Sequence, residues 1–130
     1  MFACSAHALT IDVTGIRNTN GTIACYLYNS EIGFPDEPSK ARLKIVAEVS
    51  PDHTATCRIN ASEFFETEVA VSVLHDEDKD GAMKLNFIGI PKEGWAASNN
   101  AEAQTFGPPT FQDAKFDPRK VSQQTLIMVY

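Results

Sequence analysis

The chain has 130 residues, of which 43% are hydrophobic and 22% charged, and a formal net charge of −6. That length gives one domain with a single core, and the composition excludes disordered and collagen-like classes. The acidic balance argues against a nucleic-acid partner, which needs a basic face, and no apolar run approaches the roughly 18 residues of a membrane span.

Residues 1–8 read as the remnant of a signal peptide or a disordered leader. Ala6-His7-Ala8 has the small-x-small form of a signal-peptidase site, and the periodic pattern begins directly after it. Cys4 stands where a poor lipoprotein attachment site would be. A periplasmic or secreted location is therefore expected, with one domain over residues 9–130. Leu9, Ile11 and Val13 alternate with Thr10, Asp12 and Thr14, the period of a half-buried strand. Asn20-Gly21 is a strong turn signal, because both residues tolerate positive φ, and Ile23, Cys25 and Leu27 then alternate with Ala24, Tyr26 and Tyr28. These two strands are expected to form a hairpin.

Gly33, Pro35 and Pro38 make residues 29–40 a loop, from which Phe34 is expected to fold back over an open end of the core. Leu43, Ile45, Ala47 and Val49 form the next row, Ser50-Pro51-Asp52 turns the chain, and Ala55, Cys57 and Ile59 follow. Val69, Val71, Val73 and His75 are the clearest inward row, and a further strand is expected around Lys84–Ile88. Thr110 and Asp113 have the spacing of an N-cap and its reciprocal acid, predicting a short helix near residues 110–116 stopped by Pro118. A last strand runs from Gln123 to Tyr130. With Cys4 set aside, Cys25 and Cys57 remain as an even pair. Each stands in an apolar row, so two core thiols are preferred to a disulfide, and the lack of CxxC spacing disfavours a metal or catalytic role.

The stretch from His75 to Asn100 carries the chemistry. Asp76, Asp78 and Asp80 alternate and Gly81 follows, as in the first half of an EF-hand loop. Three carboxylates so close together need protonation or a cation, and Ca²⁺ accepts six to eight oxygens in flexible geometry. The Ala82 carbonyl would be the next ligand. The second half departs from the motif, with Lys84 at position nine and Phe87 where a bidentate Glu belongs. What remains is a candidate calcium turn of Asp76, Asp78, Asp80 and Ala82, completed by Asn86, Glu93 or water. The competing reading is a solvated acidic turn.

His75 and Asp76, as strand neighbours, face opposite ways, and neither GxSxG nor HExxH occurs. His75 is therefore expected to close the inward row and hydrogen-bond the loop. Trp95, Asn99 and Asn100 complete a candidate binding loop. They either stack on a sugar or a partner, or they plug the core while their amides satisfy backbone.

The strings HDEDKDG, NFIGIPKEGWAASNN and FGPPTFQDAKF, with the opening LTIDVTGIRNTNGTIACYLYNSEIGFP, resemble an uncharacterised bacterial exported family, a domain of unknown function. The resemblance spans nearly all of residues 9–130 and implies a small periplasmic or secreted β-sandwich with no assigned activity. His75, Asp76, Asp78, Asp80, Gly81, Asn86, Gly89, Pro91, Glu93, Gly94, Ser98, Asn99 and Asn100 match the motif. Asp78 and Asp80 stand where Asn is usual, which favours a cation. Lys84 replaces an acid, which disfavours one, and Ala96-Ala97 replaces a Gly-Phe pair.

The chain thus reads as a monomeric, all-β, antiparallel sandwich of about seven strands, immunoglobulin- or prealbumin-like. Its expected role is a non-enzymatic binding or accessory domain for an unidentified ligand or protein. The alternative is a hydrolytic or carbohydrate-active enzyme using Asp76, Asp78 and Glu93.

Overall fold

A computed structural model describes residues 8–60, 67–77, 94–105 and 107–130. The alternating rows become strands: β1 (Leu9–Thr14), β2 (Thr22–Tyr28), β3 (Leu43–Glu48), β4 (Ala55–Ile59), β5 (Ala70–Asp76), β6 (Trp95–Ala97) and β7 (Gln123–Ile127). They form two sheets, one ordered β4-β1-β7 and the other β3-β2-β5-β6. Leu9, Ile11 and Val13 from the first sheet face Ile23, Cys25, Leu27, Val71 and Val73 from the second, and these apolar rows make the core. The expected all-β sandwich is what the chain forms.

Several expectations are corrected. β1 and β2 are not a hairpin, because β1 pairs with β4 and β7 while β2 pairs with β3 and β5. Their apolar rows pack face to face across the core, which one hairpin in one sheet cannot do. The chain crosses between sheets over residues 15–21, where Gly15 and Gly21 both take positive φ.

The sandwich is also not wholly antiparallel, since β1 and β7 run parallel from Thr10↔Gln123 to Thr14↔Ile127. The two strands are far apart in sequence, so no tight turn dictates their direction. The third correction concerns the cysteines. Cys25 of β2 and Cys57 of β4 are bonded to each other across the core, with Cα atoms 6.5 Å apart. The two apolar rows that suggested buried thiols are the rows that bring the sulfurs together.

The second face of β2 is buried as well. Ala24, Tyr26 and Tyr28 are covered by the 29–42 loop and the helix α1 (Phe111–Ala114). Phe34 stacks edge-on against Tyr28 at 5.3 Å and Phe111 at 5.9 Å, so it covers this outer face rather than the end of the core. Pro35, after a cis peptide bond, offers its carbonyl to the Ser72 hydroxyl at 3.0 Å. Thr110 caps α1 by accepting from the Asp113 amide, as its spacing predicted. The helix ends at Lys115, before Pro118, because Phe116 exchanges backbone bonds with Val69 beside β5. The strand expected around Lys84–Ile88 lies outside the described residues, whereas β6 was not foreseen.

Candidate functional site

Of the His75–Asn100 stretch the structure describes His75–Glu77, at the end of β5, and Gly94–Asn100, in and around β6. His75 continues the inward row of Val71 and Val73 and is fully buried. Its Nε2 lies 2.8 Å from the Asn20 carbonyl, which can only accept, so Nε2 carries the proton. Nδ1 is then the acceptor of the Tyr130 hydroxyl at 2.7 Å. The same hydroxyl accepts from the Arg17 amide at 3.1 Å. Both ring nitrogens of His75 are thus engaged inside the protein.

A second set of contacts surrounds the first. The Arg17 guanidinium lies over the Tyr130 ring, 4.6 Å from its centre, and pairs with the Glu77 carboxylate. Asn18 donates to Glu77 at 2.7 Å and accepts from the Asn20 amide at 2.9 Å. Hydrogen bonding from Arg17, then from Asn18, holds the Glu77 carboxyl below the usual carboxylate range despite partial burial. Burial pushes the Tyr130 hydroxyl the other way, above its ordinary value, against the opposing Arg17 amide bond. Gly21 and Gly94 complete the packing. A side chain at Gly21 would strike the backbone of Asp76 and Glu77, and one at Gly94 would strike the Tyr130 ring.

Asp76 is the buried last residue of β5, opposite Thr22. Asp78, Asp80, Ala82, Asn86 and Glu93, the other candidate calcium ligands, lie outside the described residues. Among the described residues no three His, Cys, Asp or Glu side chains stand close enough to hold a metal ion.

At the returning end, Trp95 exchanges both backbone bonds with Val129, which joins the edges of the two sheets. Ser98 is fully buried, accepting from the Val71 amide at 2.9 Å and donating to the Ala114 carbonyl at 2.6 Å. Asn99 and Asn100 follow with φ of 61° and 51°, a region asparagine tolerates better than most residues. Asn99 donates to the carbonyls of Asp113 and Lys115, and Asn100 bonds the Thr125 carbonyl and the Ile127 amide. The Asn100 amide thereby takes the place of a strand against β7. Where β6 and β7 part, a largely apolar groove of about 380 Å³ opens, lined by Trp95, Ala97, Ala101, Ala103, Ile127 and Val129 with Glu102 beside them.

Sequence reasoning had named His75, Trp95, Asn99 and Asn100, and the fold sets each at a junction. It missed Arg17, Asn18, Asn20 and Tyr130. Only Asn18-x-Asn20-Gly21 carried a local signal, that of a turn bonding its own backbone.

The model of a family described as "Uncharacterized protein conserved in bacteria (DUF2141)" matches residues 11–125. Comparisons with curated proteins and with solved structures gave no match. Among the described residues no helix is long and apolar enough to cross a membrane.

Proposed function

The chain belongs to this uncharacterised bacterial family, and from that premise we propose that it is an exported, non-enzymatic binding or accessory domain. Its working surface is the segment between Glu77 and Gly94, together with the adjoining apolar groove. The observation that carries this reading is where the polar side chains spend their hydrogen bonds. His75 has no nitrogen left for a substrate, Ser98 bridges β5 and α1, and the Asn99 and Asn100 amides hold backbone. A general acid, base or nucleophile needs an atom facing the reactant. These residues instead hold backbone at the two described ends of the His75–Asn100 stretch, at His75 and at Ser98 to Asn100.

Two further elements belong to the proposal. Export is supported by the buried Cys25–Cys57 bond, since disulfides persist in oxidising compartments. Calcium held by Asp76, Asp78, Asp80 and the Ala82 carbonyl is supported by their spacing and by the burial of Asp76 at the strand end.

Thermal unfolding with calcium and then with chelator tests the calcium element. An extracellular-type site of roughly 10⁻⁴ to 10⁻³ M would stabilise the domain by about 1.4–2.7 kcal/mol at ten to a hundred times its dissociation constant. The midpoint should rise by several degrees and fall back on chelation. An unchanged midpoint, with no metal by elemental analysis, removes calcium from the proposal.

A further inference from the structure

The outer edge of β3 has no use in the fold so far described. β3 ends the four-stranded sheet, and among the described residues no strand lies beyond it. The opposite edge of that sheet is covered, because Trp95 of β6 pairs with Val129. An open edge of six residues is a template for another strand. Its side chains are incomplete as well. Leu43, Ile45, Ala47 and Val49 pack against the core yet stay partly exposed, whereas Val71 and Val73 of β5 are wholly buried. On the outer face Lys44, Val46 and Glu48 are exposed, Val46 by 52%.

We infer that β3 pairs antiparallel with β3 of a second copy of this chain, about a two-fold axis through Val46. In that register Lys44 of each copy lies opposite Glu48 of the other, and Val46 lies opposite Val46. On the inner face Ile45 meets Ala47, so the half-open apolar row is closed by its own copy. The alternation of faces allows the register to change only in steps of two residues. An axis through Ile45 sets Lys44 against Val46, one through Lys44 sets Lys44 against itself, and one through Ala47 sets Val46 against Glu48. Only the axis through Val46 keeps both Lys44–Glu48 pairs. Lys44 is turned toward β2, its Nζ 5.7 Å from the centre of the Tyr26 ring, so it swings to the outer edge to meet Glu48 of the second copy. The strand carries one charge of each sign, so the edge itself adds nothing to the repulsion between two chains of net charge −6. The sequence alone led to the expectation of a monomer; this pairing predicts a dimer.

Sedimentation equilibrium on the full, disulfide-bonded chain tests the pairing. The wild type should give twice the monomer mass of 14.2 kDa. Lys44→Glu and Glu48→Lys each set like charges opposite one another at two positions, and each should weaken association at least about tenfold. An equimolar mixture of the two variants restores opposite charges at both positions and should give a mixed dimer. If Lys44→Glu does not fold by circular dichroism, Val46→Lys replaces it, setting like charges on the axis itself. A wild type that stays monomeric at its highest soluble concentration overturns the inference. So do variants that associate like the wild type, or a mixture that remains monomeric.

Discussion

Ser98 and Tyr26 show two opposite ways of burying a hydroxyl. Ser98 is fully satisfied, and its replacement by Ala would leave the Val71 amide and the Ala114 carbonyl without their partner. Ser98→Ala should therefore cost about 2–4 kcal/mol in denaturant unfolding, the sum of two buried groups losing a bond. Tyr26 is 4% exposed and its hydroxyl has no hydrogen-bond partner among the described residues. Tyr26→Phe should then be neutral or slightly stabilising in the same assay; a loss above about 1 kcal/mol would mean that the hydroxyl has a partner after all. At this scale the sequence identified which positions were unusual but not what they touch. His75, Asn99 and Asn100 stood out by residue type. Tyr130 did not, because its role depends on the Asn20 carbonyl, the Arg17 amide and the His75 ring, all distant in the chain.

At the scale of elements, period-two alternation located β1, β2, β3, β4 and β5, a run rich in Thr, Ile, Val and Leu located β7, and the Thr110–Asp113 spacing located the start of α1. It could not assign strands to sheets. The turn signal at Asn20-Gly21 was real, but it lies in a seven-residue crossing that Gly15 also bends, so the local cue pointed to the wrong partner. β6 was invisible because three residues, Trp95-Ala96-Ala97, show no period.

The Cys25–Cys57 bond ties strands of different sheets and closes a loop 32 residues long. By chain entropy it should contribute about 3–4 kcal/mol. Chemical denaturation of the reduced protein, or of a Cys25→Ala/Cys57→Ala double variant, should show a loss of that order. An unchanged midpoint would contradict the bond's place in the account.

Across the described residues, two sheets and an outer layer hold Glu77 and Gly94, the residues on either side of the stretch 78–93, in place. On one side Arg17 and Asn18 hold Glu77; on the other Tyr130 packs over Gly94. His75 lies between them and joins the β1–β2 crossing to the last residue of the chain. The sandwich itself was legible in the sequence, since alternating rows require two facing apolar sheets. The parallel β1–β7 pair and the crossing between sheets were not, because both depend on contacts across most of the chain.

If His75 is a brace at the end of β5 rather than a reacting group, its loss lowers stability and spares calcium binding. The direct measurement is thermal unfolding of His75→Gln beside the wild type, with and without calcium. One glutamine amide cannot reach both the Asn20 carbonyl and the Tyr130 hydroxyl. Stability should fall by about 1–3 kcal/mol in both conditions, while any calcium-dependent rise is retained. An unchanged midpoint together with loss of a calcium response seen in the wild type would contradict the account and place His75 in the working chemistry.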